Sequence, residues 1–326
     1  MVLAVAVFVL WPVPFAHDTG SWMAAAGVEP RYETIDGLRL RYVRKGQPTS
    51  QSVAAGEGPP VLLLHGISSS LYTWKDVLPA LAGHHDVIAV DLPGFGDSAI
   101  PSPASGDRIA RSVVGLMDRL GITRASIVGN SLGGAIAIAI AARLPDRVDR
   151  IVLIDAAGYN FAPADRPFLL RVAGAIPAPV LEALPVRPMV AVGLRQVFHD
   201  DSLVTPDKIA EYVAPMRRPG ASAALHGLLL GTDDLHFPGV IREVRAPTLI
   251  LWGRYDTWIP PRDADRFAAD IPGARVVMME TGHMPQEERP AETAARVEEF
   301  LGAELSAPAR PASPAPSAPP SSPGTR

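Results

Sequence analysis

The chain has no cysteine in its 326 residues, and that absence removes disulfides, thiolate nucleophiles, iron–sulfur clusters and cysteine-ligated zinc together. It leaves the compartment open, because exported proteins can also lack disulfides. Basic charge is not in surplus: Lys and Arg number 30 against 34 Asp and Glu, a formal net charge of −4. So balanced a chain has no electrostatic footprint for a phosphate backbone, and nucleic acid is not an expected partner. No HExxH or comparable ligand spacing occurs, so metal dependence is not implied, and no motif calls for a cofactor. Internal repeats are missing as well. What is present, 48% hydrophobic and 20% charged residues, suits one large globular domain or two small ones.

The two ends differ from the middle. Met1 to Ala16 (MVLAVAVFVLWPVPFA) carries no charge, but Pro12 interrupts it well short of the roughly 20 apolar residues that a membrane span requires. It has the character of a signal-peptide core or an anchor, although the first basic residue is Arg31 and Pro-Phe-Ala before His17 makes a poor cleavage site. Residues 1–31 are therefore read as signal- or anchor-like, with export or membrane association through the N-terminus expected. The alternative is a buried N-terminal element in a cytoplasmic protein. Ser306 to Arg326 holds seven prolines and no large apolar residue. Such a tail (306–326) cannot bury enough surface to offset its ordering entropy and is expected to be disordered, partly polyproline.

Between the ends, short apolar runs alternate with helical patterns. Leu38–Arg44 alternates like a half-exposed strand; Val61–Leu64, Val87–Val90, Ala125–Val128, Ile151–Ile154, Thr248–Leu251 and Arg275–Met278 read as buried central strands. Helices are expected near Thr73–Ala82, Ile109–Leu120, Leu132–Leu144, Arg262–Ala269 and Pro290–Leu301. The order predicts a doubly wound α/β domain. From Gly158 to Arg245 the alternation stops and proline-spaced helical stretches take over, among them Pro206–Met216 with Thr205 as N-cap. This segment (158–245) is read as an inserted helical cap, leaving a discontinuous core of 32–157 and 246–305.

The sharpest chemical signal is Gly129-Asn130-Ser131-Leu132-Gly133 between an apolar strand and a helix. A G-x-S-x-G in that context is a nucleophile elbow: a tight turn projects the Ser131 oxygen above the sheet, with the amide dipoles of the next helix behind it. A serine hydroxyl needs a base, and the base an orienting carboxylate. His283, in Thr281-Gly282-His283-Met284-Pro285, follows the last strand; Asp256, in Trp252-Gly253-Arg254-Tyr255-Asp256, follows the one before. All three stand beyond the carboxyl ends of parallel strands, where open α/β sheets place their sites.

With these motifs, and with Leu63-Leu64-His65-Gly66-Ile67 and Asp91-Leu92-Pro93-Gly94-Phe95-Gly96-Asp97-Ser98 after two earlier strands, the chain from Tyr32 to Leu305 resembles the α/β-hydrolase fold superfamily, specifically an esterase- or lipase-like serine hydrolase with a helical cap. The resemblance implies a mostly parallel eight-stranded sheet with helices on both faces, and the chain order Ser, Asp, His fits it. It implies that the oxyanion donors are the backbone amides of Ile67 and Leu132, each worth roughly 2.7–4 kcal/mol in measured cases. Asp155 also follows a central strand and competes for the role of acid, since some family members place it there; Asp256 is preferred. His65 is expected to brace the oxyanion turn, and Asp91, Asp97 and Ser98 to be structural. His84 and His85 are expected at the surface; His199, His226 and His236 fall in the cap as satisfied or exposed side chains. Trp74 is either a pocket wall or a core residue.

The choice of nucleophile narrows the chemistry. Relatives on this fold that attack saturated carbon, the haloalkane dehalogenases and epoxide hydrolases, use aspartate because the resulting ester can be hydrolysed, whereas serine would leave an inert ether. Ser131 therefore points to a substrate with a carbonyl, and a small-molecule carboxylic ester is the expected one, with an apolar medium-chain or aromatic group to suit the Leu-, Val- and Ala-rich cap. The alternatives are a carbon–carbon bond hydrolase of the meta-cleavage-product type, which shares the triad, the cap and often a G-N-S-x-G elbow; cofactor-free acyl transfer or perhydrolysis; and a non-catalytic binding protein on the same fold.

Overall fold

Four to eight residues rich in Val, Leu and Ile form strands, and β-branched side chains favour that pleated, buried setting. A computed structural model, which describes residues 20–46, 59–159, 167–230 and 238–303, assembles eight strands into one sheet. They are β1 (Arg31–Ile35), β2 (Leu38–Lys45), β3 (Val61–Leu64), β4 (Val87–Val90), β5 (Ala125–Asn130), β6 (Val148–Ile154), β7 (Thr248–Gly253) and β8 (Arg275–Met279), in the order β1-β2-β4-β3-β5-β6-β7-β8. β2 runs antiparallel to both its neighbours and every other pairing is parallel. The chain moves from β3 outward to β4 and then returns to β5 on the other side of β3. Loops after β3 and β5 thus meet at a switch point, where such sheets bind ligands.

The period of two along each strand divides the core. Leu62, Leu64, Ile88, Val90, Ile127 and Ile151 join one apolar cluster; Val61, Leu63, Val87, Ala89, Val128 and Val152 join the other. The helices, in chain order, are α1 (Ser21–Ala26), α2 (Val77–Leu81), α3 (Gly106–Arg119), α4 (Leu132–Arg143), α5 (Phe168–Ala175), α6 (Ala178–Ala183), α7 (Val186–Val197), α8 (Pro206–Met216), α9 (Ala221–Leu230), α10 (Pro238–Ile241), α11 (Arg262–Asp270), α12 (Pro285–Glu288) and α13 (Pro290–Gly302). α3, α4 and α11 cover the first face; α1, α2 and α13 cover the second.

Helices α5 to α10 lie between β6 and β7 in the chain. In α8, Pro206 occupies the first turn and the Thr205 hydroxyl accepts from the Lys208 N–H at 3.2 Å, as its sequence predicts. α7 and α8 pack Val190, Leu194, Ile209 and Val213 against Tyr72 and Met284 of the sheet domain.

Three features depart from the sequence reading. β1 lacks an apolar run because it is an edge strand with only Ile35 buried. Residues 20–31, grouped above with the N-terminal segment, belong to the folded body: Met23, Ala26 and Val28 are buried in the second cluster and β1 already starts at Arg31. The helix expected over Thr73–Ala82 is a 3₁₀ turn, Leu71–Trp74, followed by α2. Pro79 has no N–H to donate to the Lys75 carbonyl, so it is tolerated only in the first turn of a helix, and α2 begins two residues before it. No helix among the described residues is long and apolar enough to cross a membrane. Met1–Ala16 and Ser306–Arg326, on which the anchor and disordered-tail expectations fall, lie outside the described residues.

Candidate active site

Ser131 stands between β5 and α4 with φ 54° and ψ −115°, a positive-φ conformation that costs a non-glycine residue roughly 1–3 kcal/mol and persists only where neighbours enforce it. They do so here. The Ser131 N–H donates to the Ile154 carbonyl at 3.0 Å, and the Ser131 carbonyl accepts from the N–H groups of Gly134, Ala135 and Ala157 at 3.0, 3.2 and 3.0 Å. The flanking glycines are steric necessities: a Cβ on Gly133 would stand 2.1 Å from the Leu64 carbonyl oxygen, and one on Gly129 2.3 Å from that of Gly133. Leu132 is the first residue of α4, so its N–H precedes any acceptor within the helix.

The turn after β3 lies beside this elbow, because Leu64 pairs in register with Gly129. Gly66 approaches so closely that a Cβ there would be 3.2 Å from the Ser131 Cβ. His65 braces the turn as expected. Its Nε2 accepts from the Leu92 N–H at 2.9 Å, which leaves the ring proton on Nδ1 to donate to the Gly66 carbonyl at 2.7 Å. Complete burial pushes its pKa down and keeps the ring neutral. Asp91 accepts from the Leu71 and Asp97 N–H groups at 2.8 and 2.7 Å and from Arg41 Nε at 2.5 Å. The Ser98 hydroxyl donates to the Asp91 carbonyl at 2.6 Å.

Asp256 and His283 come from the loops after β7 and β8. His283 Nδ1 donates to Asp256 Oδ2 at 2.7 Å, while Asp256 Oδ1 accepts from the N–H groups of Trp258 and Ile259 at 2.7 and 3.0 Å. With Nδ1 committed, Nε2 of the neutral ring is left as the basic atom. His283 is fixed through its backbone too: its N–H donates to the Val197 carbonyl at the end of α7 at 2.7 Å, and its carbonyl accepts from Asn130 Nδ2 at 3.2 Å. Asp155, the competing acid, sits behind Asp256. It is fully buried and accepts the Gly253 N–H on Oδ1 at 2.9 Å. Burial, and then the Asp256 charge, push its carboxyl well above the usual range.

Ser131 and His283 share the wall of one cavity of about 140 Å³, close to the ~150 Å³ that accepts a benzene ring. Ile67, Leu194, Val197, Leu225, Trp258 and Met284 are among its apolar lining, and Ser69, Asn130 and Tyr212 supply polar atoms. Among the described residues the lining contains no Arg, Lys, Asp or Glu.

Sequence reasoning missed several of these positions. Of the two settings expected for Trp74 it takes the core, wholly buried, whereas Trp258, two residues past Asp256 and not anticipated, lines the cavity. Glu288 joins the His283 loop to the cap, accepting from the Gly282 N–H at 2.7 Å on one oxygen and from His199 and Asp200 N–H groups at 2.9 and 3.2 Å on the other. Burial pushes its carboxyl upward. Beside it Glu287 binds Lys208 Nζ at 2.7 Å and accepts from the Thr73 hydroxyl at 2.8 Å and from the Tyr212 hydroxyl. The remaining histidines stand apart from the cavity lining: His84 is exposed, His85 faces Glu298 at 3.2 Å, His199 stacks on Tyr255 at 3.9 Å between ring centres, and His226 is half-buried. His17 and His236 lie outside the described residues.

A family model described as alpha/beta hydrolase fold matches residues 59–290. The chain is 33% identical over 275 residues to 2-hydroxymuconate semialdehyde hydrolase of Pseudomonas sp. strain CF600, covering 78% of this chain and 90% of that protein. A crystal structure of the meta-cleavage product hydrolase CumD from Pseudomonas fluorescens IP01 superimposes with a TM-score of 0.71 at 30% identity, over 83% of this chain and 97% of that one. A crystal structure described as a membrane phospholipase A, a bacterial virulence factor, superimposes with a TM-score of 0.72 at 28% identity, over 92% and 95%.

Proposed function

The chain belongs to the alpha/beta hydrolase fold family, and on that premise we propose that it is a serine hydrolase cleaving carboxylic esters with an apolar medium-chain acyl or aromatic group. The reading is carried by one observation: Ser131 and His283 open onto a cavity whose described lining is mostly apolar and holds no Arg, Lys, Asp or Glu. In this reading Ser131 Oγ attacks the ester carbonyl while His283 Nε2 takes its proton and passes it to the leaving alcohol. Water then attacks the acyl-enzyme with His283 as base. Asp256 stays ionised and holds the imidazole. The amides of Ile67 and Leu132 receive the oxyanion, being aimed where negative charge develops.

A second reading, carbon–carbon hydrolysis of a ring-cleaved dienoate, is favoured by the 33% identity to a semialdehyde hydrolase over nine-tenths of its length. Against it, a dienoate carries a carboxylate, and the described lining offers no cationic side chain to receive one. The deciding experiment assays purified protein on nitrophenyl esters of graded chain length and on a ring-cleaved dienoate, with Ser131→Ala as control. The ester reading expects turnover of medium-chain or aromatic esters, little of the dienoate, and a loss of about 10⁶-fold in the variant. Higher kcat/KM on the dienoate than on every ester overturns it. Export or membrane attachment through Met1–Ala16 belongs to the same reading; a fusion of residues 1–30 to a reporter that stays wholly in the cytosolic fraction refutes that part.

A further inference from the structure

One buried titratable side chain has no part in the chemistry above. Asp155 opens the turn after β6 in a left-handed conformation, φ 44°. The turn is tied on both sides: the Asp155 N–H donates to the Leu251 carbonyl and the Ala157 N–H to the Ser131 carbonyl, each at 3.0 Å. Its side chain is completely buried. Oδ1 has the Gly253 N–H, whereas Oδ2 has no hydrogen-bond partner among the described residues when both carboxylates are ionised. Carboxylate oxygens of Asp155 and Asp256 and a ring nitrogen of His283 all lie within 4.8 Å of one another.

Two buried carboxylates this close disfavour each other's ionisation, so one of them tends to keep its proton. The donors decide which one does. Asp256 receives three, the N–H groups of Trp258 and Ile259 and His283 Nδ1; Asp155 receives one, from Gly253. Negative charge therefore belongs on Asp256, and the orphaned Oδ2 of Asp155 becomes satisfied if it carries a proton aimed at Asp256. We propose that Asp155 is a positioning residue, a neutral carboxylic acid at neutral pH that donates a hydrogen bond to Asp256 and extends the Ser131–His283–Asp256 set by one member. The protonation state follows from the geometry alone; its bearing on turnover rests on the catalytic reading above.

The consequence concerns the base. An Asp155 anion would add a second negative charge close to His283 and hold the imidazole as imidazolium, unable to accept the Ser131 proton. The charged or titratable groups facing Asp155 are Asp256, His283 and Glu288, and neither carboxylate favours ionising it. Asparagine reproduces the neutral acid: its Oδ1 accepts from Gly253 and its amide donates to Asp256. Leucine keeps the volume and removes the donor.

The test uses the full chain and two independent readouts. Infrared difference spectra of wild type against Asp155→Asn at neutral pH should show the C=O stretch of an undissociated carboxylic acid, shifting in heavy water and absent from the variant. If no such band distinguishes the two proteins, Asp155 is ionised and the proposal fails, whatever the enzyme's substrate. In kinetics, Asp155→Asn should leave the acidic limb of kcat/KM in place, because no charge has been removed; a limb displaced downward by about one pH unit refutes neutrality. Asp155→Leu should lower kcat about tenfold at unchanged KM, the worth of one hydrogen bond to a charged group, with Asp155→Asn restoring it. Equal losses in both variants contradict the positioning role. Should Asp155→Leu fail to fold, the infrared and pH measurements on Asp155→Asn decide alone. Intact hydrolysis by Ser131→Ala would overturn the catalytic reading and leave the infrared result standing.

Discussion

The ion pair between Lys208 of α8 and Glu287 of α12 tests how the cap is held. The two side chains are 9% and 1% exposed with Nζ and Oε2 2.7 Å apart, and the other glutamate oxygen accepts from Tyr212 and Thr73. Glu287→Ala strands the ammonium against the Phe198 ring, 4.1 Å away, and deprives two buried hydroxyls of their acceptor. Removing one partner of a buried pair costs about 3–5 kcal/mol. At roughly 2–4 °C per kcal/mol for a protein of this class, Tm should fall by about 10 °C. The double variant Lys208→Met, Glu287→Gln has no stranded charge, and Gln still offers a carbonyl to Tyr212 and Thr73. It should recover most of the loss, since uncharged replacement of both partners is often close to neutral. Calorimetry on the wild type, Lys208→Met, Glu287→Gln and the double variant closes the cycle, with Glu287→Ala measured beside it. A single-variant cost below about 1 kcal/mol, or a double variant that adds the two single losses, refutes the view that burial makes this pair matter.

Two further outcomes follow from the same geometry. Asn130→Ala removes both amide bonds from the buried Asn130 Nδ2, to the Ile154 and His283 carbonyls, so kcat should fall about tenfold by the loss of His283 positioning and Tm should fall by a few degrees, at about 1–3 kcal/mol for buried acceptors that lose a donor; an unchanged kcat contradicts the clasp. Because burial and Asp256 raise the Asp155 pKa in the folded state, its contribution to stability is full below the unfolded carboxylate pKa and is lost as pH rises towards the folded value. Asp155→Asn lacks that slope, so chemical denaturation from acid to alkaline pH should show the variant gaining stability relative to wild type; a gap independent of pH refutes this assignment.

What was legible beforehand is what the chain encodes locally. Val61–Leu64 and Val87–Val90 are buried strands because four consecutive apolar residues can satisfy both faces of a central strand, and the apolar runs mark their bounds to the residue. The elbow was legible because an unusual φ at Ser131 requires glycines at fixed offsets on either side. β1 was hidden because an edge strand buries little; Arg31 to Thr34 carry no apolar pattern. The clasps around His283 were hidden for another reason. Asn130 reaches a backbone carbonyl 153 positions away, and Glu288 collects amides from the cap. Neither bond leaves a trace in spacing, since any backbone carbonyl or amide could have served. The same holds for Trp258 and Trp74: both follow plausible site motifs, and only the packing separates wall from core.

The central claim is that Ser131 forms an acyl-enzyme with an ester substrate, and it can be read directly by mass. Protein quenched in acid during turnover of a medium-chain nitrophenyl ester, digested and analysed by mass spectrometry, should carry the acyl group on the peptide containing Ser131, with no adduct in Ser131→Ala. Steady hydrolysis with the acyl group on another residue, or an undiminished rate in Ser131→Ala, would contradict the account.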